Sequence, residues 1–157
     1  MRNLIGYLLG LCLFVLGIPS LMWLVSGRGW PYVPGTLVQV IAALVLALAG
    51  LSLSIWSIVY MRRVGKGNPM DAFGHEVAPR TRHLMTDGPY RINRNPMLSG
   101  TLLYLAGVAV WLWRWPAWLV LAVFFAVMLV QVLSEEKRLR RDFGEEYETY
   151  CRRTRRF

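Results

Sequence analysis

The chain has 157 residues, of which 55 % are hydrophobic and 17 % are charged, and its formal net charge is +9. This apolar content argues against an intrinsically disordered chain, and two cysteines are too few for a disulfide-stapled secreted domain. A soluble nucleic-acid-binding protein can be this basic but is not this apolar, so we expect no nucleic-acid partner. The remaining class is a small integral membrane protein.

Four stretches of the chain contain no acidic residue, no basic residue and no histidine. A helix needs about 20 apolar residues to cross the hydrocarbon layer of a membrane. The third stretch is short, but only Arg114 and Trp115 separate it from the fourth, which indicates a tight helical hairpin. We therefore predict an all-α, polytopic membrane protein with one domain over residues 1–157 and a first helix that is not a cleaved signal peptide. The predicted transmembrane segments are residues 4–25, 36–60, 97–113 and 116–134.

The basic residues indicate how these helices are oriented. Of the 18 basic residues, seven lie in the predicted loop 61–96 and eight in the predicted tail 135–157. Because basic residues mark the cytoplasmic side of a membrane protein, we predict that this loop and both termini are cytoplasmic, and that the partner of the helices is the lipid bilayer. Four tryptophans in the hairpin are expected to form an aromatic belt at the opposite interface: Trp111, Trp113, Trp115 and Trp118.

The end of the long loop combines turn signals with positive charge. The tripeptide Asp87-Gly88-Pro89 predicts a turn, and Asn95-Pro96 predicts a helix start with Asn95 able to cap it. Free N–H groups at that helix start, together with Arg91 and Arg94, form a candidate site for a carboxylate or another anion. The alternative is an ordinary basic flank of a membrane helix with a capping residue.

The tail begins with two adjacent acids, Glu135 and Glu136, directly after the fourth apolar stretch. Beside a basic loop, they indicate either a cationic partner or an ion-paired anchor. The following apolar residues recur every three or four positions, which predicts an amphipathic helix. This helix either lies on the lipid headgroups or also closes over the loop and buries a small ligand. Its apolar face is Leu139, Phe143, Tyr147 and Tyr150.

Two of these segments resemble a known family. Gly88-Pro89-Tyr90 followed by Arg94-Asn95-Pro96-Met97 resembles the Gly-x-Tyr…Arg-His-Pro-x-Tyr segment of the isoprenylcysteine carboxyl methyltransferase and phospholipid methyltransferase group. Glu135-Glu136 and Phe143-Gly144-x-x-Tyr147-x-x-Tyr150 resemble the C-terminal signature of the same group. The resemblance is specific from about residue 80 to residue 150. Before that it amounts to hydropathy alone.

The resemblance implies a membrane methyltransferase that uses S-adenosyl-L-methionine and no metal, of the small type found in bacterial inner membranes. The implied acceptor is a lipophilic or small thiol, carboxylate or amine. The implied cofactor pocket lies at the cytoplasmic face, between the loop and the tail. The cofactor-binding positions carried over are Arg82, Leu84, Met85, Gly88, Tyr90, Asn95, Pro96, Met97, Leu98, Glu135 and Glu136. The positions expected to align the cofactor and the substrate are Arg94, Asn95 and Glu136.

The sequence also departs from the family pattern. Asn95 replaces the family histidine and cannot carry a proton, and Leu98 replaces an aromatic residue. Gln131 stands where the family has a substrate-side arginine. Two alternatives therefore stay open. One is a sterol-reductase-like enzyme that binds NADPH, and the other is a membrane protein of the same fold that has lost catalysis.

Overall fold

The computed structural model describes residues 11–29, 32–64, 71–72, 75–76 and 84–157. Apart from one pair of two-residue strands, the elements in these ranges are helical, in agreement with the predicted all-α class. The two strands, β1 (Asp71–Ala72) and β2 (His75–Glu76), pair with each other in antiparallel orientation. In the chain they lie between the second and third α-helices. The helices are a π-helical segment (Leu11–Gly17), α1 (Ile18–Ser26), α2 (Leu37–Arg63), a 3-10 helix (Gly88–Arg91), α3 (Pro96–Leu112) and α4 (Trp115–Arg153).

Two of these helices, α2 and α4, are long and apolar enough to cross a membrane. Within their most apolar windows only 11 % and 17 % of the residues are buried, which is typical of helices that face lipid and not of core helices in a soluble protein. Helix α3 has 17 residues and is about 26 Å long, somewhat less than a hydrocarbon layer. The count of four spans therefore stays a prediction. The first predicted segment, 4–25, begins outside the described residues.

Helices α2 and α3 are in close backbone contact. Among the described elements, this is the most extensive contact between two helices. A Cβ atom on Gly50 would lie 2.4 Å from the carbonyl oxygen of Gly100, and one on Gly107 would lie 2.7 Å from the carbonyl oxygen of Ala43. Small residues at such contacts are expected where lipid provides no hydrophobic drive between helices. This contact fixes the start of α3 beside the end of α2.

The predicted division between a membrane helix and a separate tail helix is wrong, because both belong to one helix, α4. Helix α4 continues from Trp115 to Arg153, and the chain departs from helical geometry inside it at Gly144, with φ 49° and ψ −121°. A positive φ of this kind favours glycine. The two parts of the helix approach each other across this kink, because Nε of Arg140 lies 2.8 Å from Oε1 of Glu148. The kink therefore directs residues 145–153 back toward the loop.

Candidate active site

A cavity of about 160 Å³ lies where the loop before α3, the start of α3 and the second half of α4 meet. Its walls combine apolar side chains with two acids and two arginines. The loop and α3 contribute Leu84, Met85, Tyr90, Arg94, Asn95, Pro96, Met97 and Leu98, and α2 contributes Met61. Helix α4 contributes Met128, Gln131, Val132, Glu135, Glu136, Arg138, Leu139, Tyr147 and Tyr150.

Ten of the twelve predicted site residues line this cavity. The two others are Arg82, which lies outside the described residues, and Gly88. The structure places Gly88 against the ring of Tyr60, where a Cβ atom would lie 2.5 Å from a ring carbon. Gly88 also has φ 61°, so its role here is to allow a tight turn beneath an aromatic ring.

Sequence reasoning missed two wall residues on the membrane side of α4, Met128 and Val132. Both recur at helical spacing with the predicted Glu135 and share its face of the helix, and Gln131 extends that face. Counting back in steps of three and four from Glu135 identifies the two missed positions. The predicted apolar face of the tail also reaches the cavity, through Leu139, Tyr147 and Tyr150.

A cluster of ion pairs in the site is centred on Glu136. This carboxylate is only 4 % exposed and has arginine partners on both oxygens. Nε and Nη2 of Arg156 lie 2.9 Å from Oε1 and 2.8 Å from Oε2, and Nη2 of Arg94 lies 3.3 Å from Oε1. A buried carboxylate is tolerated when it is paired in this way. Two guanidinium groups share one carboxylate, so the cluster keeps one positive charge.

Arg94 connects the loop to the end of the chain. Its Nη1 donates to Sγ of Cys151, and its backbone N–H donates to the carbonyl oxygen of Arg155 at 2.8 Å. Its Nε is buried and has no hydrogen-bond partner among the described residues. A buried donor without a partner costs about 1–3 kcal/mol, and a ligand would satisfy this atom once the neighbouring wall side chains shift to admit it.

The second acid, Glu135, has different surroundings from Glu136. Its side chain lines the cavity, keeps 40 % of its surface accessible, and lies 3.4 Å from Nη2 of Arg138. Partial burial raises the pKa of the Glu135 carboxyl above its ordinary value, and the charge of Glu136 raises this pKa further. Of the two acids, Glu135 is therefore the one that a ligand can reach.

Asn95 occupies the N-cap position of α3, as predicted, but its side chain does not cap the helix. Its Nδ2 instead donates to the carbonyl oxygen of Arg156 at 3.1 Å, and its own backbone N–H donates to Oδ1 of Asn93 at 3.0 Å. The expectation of a side-chain cap was wrong, because the Asn95 amide is oriented toward Arg156 and its oxygen accepts no hydrogen bond from the first turn of α3. Asn95 thus joins the loop to the residues after α4.

A buried tyrosine pair closes the cavity on its other side. The hydroxyl of Tyr150 donates to the carbonyl oxygen of Tyr90 at 2.6 Å. Burial raises the pKa of both hydroxyls well above the ordinary value for tyrosine, so both stay protonated at physiological pH. This hydrogen bond fixes the kinked end of α4 onto the 3-10 helix of the loop.

Comparison with known proteins places this arrangement in a family. The model of the phospholipid methyltransferase family matches residues 38–146, which include α2, the loop, α3 and α4 as far as the kink. The chain belongs to the phospholipid methyltransferase family. No curated protein and no solved structure matches it. The resemblance stated from the loop and tail motifs is thereby confirmed at the level of the family, which is a family of methyltransferases.

Most of the cavity belongs to the part of the chain that matches the phospholipid methyltransferase family. Of its wall residues, only Tyr147 and Tyr150 lie beyond residue 146. Arg156, which holds both oxygens of Glu136, also lies beyond it. The residues after α4 therefore complete a site that the family match covers only in part.

Proposed function

We propose that this protein is an S-adenosylmethionine-dependent methyltransferase whose acceptor is an amphiphile at the membrane surface. The observation that carries the proposal is the cavity itself. It contains a buried donor on Arg94 that has no partner among the described residues, an accessible acid at Glu135, and apolar wall side chains. Membership of a methyltransferase family supports the same reaction class.

The residues of the cavity fit the chemical groups of S-adenosylmethionine. Its carboxylate requires a cationic donor, and Nε of Arg94 is a buried donor that no residue in the described ranges satisfies. Its ammonium and sulfonium require a carboxylate, and Glu135 presents one to the cavity. Its adenine requires apolar walls, which Leu84, Met85 and Leu139 supply.

The volume of the cavity limits how this ligand is held. Pockets for drug-sized ligands measure about 300–1,000 Å³, whereas this cavity measures about 160 Å³. A ligand with an adenosine group therefore extends beyond the cavity, or the walls move apart to admit it. The site orients one end of such a ligand, which is the end that carries the charges.

The bound cofactor would supply a methyl group on a positively charged sulfur, ready for in-line displacement. The contribution of the protein is then orientation and exclusion of water. Arg94 and Glu135 would hold the charged portion of the cofactor, and the buried pair Tyr90 and Tyr150 closes the cavity on one side. The amide of Asn95 takes up no proton and cannot act as a general base, and an acceptor that is already a neutral amine, a thiolate or a carboxylate would need none from it.

The hydrocarbon part of the acceptor has a suitable surface beside the cavity. An apolar groove of about 450 Å³ lies between α3 and α4 and is lined by Leu102, Leu103, Ala106, Trp118, Leu121, Ala122 and Phe125. Leu102 is one helical turn from Leu98 of the cavity wall, and Phe125 is one turn from Met128. The groove and the cavity therefore follow the same seam between the two helices. A phospholipid with an amine headgroup is the first acceptor to test.

Isothermal calorimetry with S-adenosylhomocysteine in detergent tests the proposal. We expect the wild-type protein to bind, and Glu135→Gln and Arg94→Ala each to weaken binding at least tenfold, or about 1.4 kcal/mol. Glu145→Gln is the matched control, since Glu145 is an exposed acid on the same helix outside the cavity. The absence of binding at millimolar ligand by folded wild-type protein would overturn the proposal.

A further inference from the structure

We name the four residues that follow α4, Thr154–Phe157, the closing segment, and the last three of them each contact a different element of the protein. The carbonyl oxygen of Arg155 accepts from the backbone N–H of Arg94 at 2.8 Å, and that of Arg156 accepts from Nδ2 of Asn95 at 3.1 Å. The ring of Phe157 packs edge-on against Phe125, with centroids 5.7 Å apart. The segment thus holds both the polar loop and the membrane helix.

The side chain of Arg156 makes the strongest of these contacts. It donates to both oxygens of Glu136, at 2.9 and 2.8 Å, whereas Arg94 reaches a single oxygen at 3.3 Å. A guanidinium bound to a carboxylate through two parallel hydrogen bonds fixes its direction as well as its position. Arg156 therefore determines how the Glu136 carboxylate is oriented, and this orientation determines where Arg94 can lie.

Arg156 acts from outside the cavity. It is not one of the residues that line the cavity in the described part of the chain, whereas Glu136 and Arg94 are. If Arg156 filled the space meant for a ligand, it would line the cavity, which it does not. It instead contacts Glu136 from outside the cavity, which favours a role in holding Glu136 in place.

We propose that Arg156 is a positioning residue of the methyl-donor site, which acts through Glu136 to hold Arg94 in the cavity wall. The proposal rests on the proposed function and adds to it a residue beyond the 38–146 match. Without Arg156, Glu136 keeps a single arginine partner in a nearly buried position. Arg94 is then drawn toward the carboxylate, and its orientation in the cavity is lost.

The test measures S-adenosylhomocysteine binding by calorimetry for Arg156→Ala, Arg156→Lys and the control Arg155→Ala. Arg155 is an exposed neighbour of the same charge whose side chain can be removed without loss of its backbone hydrogen bond. We expect Arg156→Ala to weaken binding about tenfold and Arg155→Ala by less than about twofold. Arg156→Lys should fall between them, because lysine keeps the charge but not the two-pronged geometry.

A double-mutant cycle separates positioning from a general loss of structure. If Arg156 acts through Glu136, then Arg156→Ala should weaken binding by less than about twofold further in a Glu136→Gln background. Full additivity of the two substitutions, unchanged binding in Arg156→Ala, or tighter binding in Arg156→Ala would overturn the proposal. Tighter binding would indicate that the closing segment blocks entry of the ligand to the cavity.

A second readout requires no methyl donor. Nη1 of Arg94 contacts Sγ of Cys151, a half-buried thiol. In a Cys12→Ser background, the rate at which a maleimide alkylates Cys151 should change at least about fivefold in Arg156→Ala and not in Arg155→Ala, because the charge beside the thiol moves when Arg94 moves. An unchanged rate overturns the positioning role. A changed rate in a protein that does not bind S-adenosylhomocysteine would support the positioning role and reject the proposed function.

Discussion

Two adjacent glutamates in this site have opposite surroundings. Glu136 is 4 % exposed and held by two arginines, whereas Glu135 keeps 40 % of its side-chain surface accessible and lines the cavity. Successive residues of a helix point about 100° apart, so adjacent acids belong to different faces. The two acids are adjacent in the sequence motif but differ in role. Glu136 binds the arginines that hold the site together, and Glu135 is the acid that a ligand can reach.

The Glu135→Gln substitution should have opposite effects on stability and on binding. The pKa of Glu135 is raised in the folded protein, so folding favours its neutral form and the charged form destabilises the fold at neutral pH. We expect Glu135→Gln to raise the unfolding midpoint at pH 7 and to weaken S-adenosylhomocysteine binding. The gain in stability should vanish below about pH 4, where the wild-type carboxyl is also protonated. A lower midpoint at pH 7 than that of the Glu145→Gln control would contradict this account.

At the scale of elements, the site depends on how closely α2 and α3 approach. The loop that carries most predicted site residues begins after α2 and ends at α3, so the separation of these helices sets its span. Gly50 and Gly100 meet at the centre of this contact, and the 3-10 helix rests on Tyr60 near the end of α2. Packing between two apolar helices thus positions the polar site at their end.

The Gly50→Ala substitution tests this dependence. The added Cβ atom would meet the Gly100 carbonyl oxygen and the Tyr104 amide nitrogen, both at 2.4 Å, so the helices must separate. We expect a loss of about 1–3 kcal/mol in the free energy of unfolding in detergent, despite the higher helix propensity of alanine. Gly35→Ala is the control, since a Cβ atom there meets nothing within 4 Å. An unfolding midpoint for Gly50→Ala equal to that of the control would refute the close-contact argument.

At the scale of the whole molecule, the charged residues of the cavity and the tryptophans of the hairpin lie at opposite ends of α3. The cavity and its arginines lie at one end of α3, and the exposed rings of Trp113, Trp115 and Trp118 lie at the hairpin at the other end. We propose that the cavity end faces the cytoplasm, because basic residues concentrate there. The tryptophans then form the belt at the far interface.

The sequence predicts the helices well because uncharged stretches leave few other structures in a membrane. The observed limits of α2 and α3 fall within three residues of the predicted segments 36–60 and 97–113. The motifs also identify most of the cavity wall. The prediction fails where distant residues meet: the kink at Gly144 brings Arg156 to Glu136, twenty positions earlier in the chain. No local pattern encodes that pairing.

Methyl transfer in reconstituted vesicles is the most direct test of the central claim. Purified protein would receive S-adenosylmethionine with a tritiated methyl group, together with phospholipids that carry amine headgroups and, in parallel, thiol and carboxylate amphiphiles. The account predicts label in at least one amphiphile with the wild-type protein and with Glu145→Gln, and at least about tenfold less with Glu135→Gln. Folded wild-type protein that labels no acceptor, or equal labelling by Glu135→Gln, would contradict it.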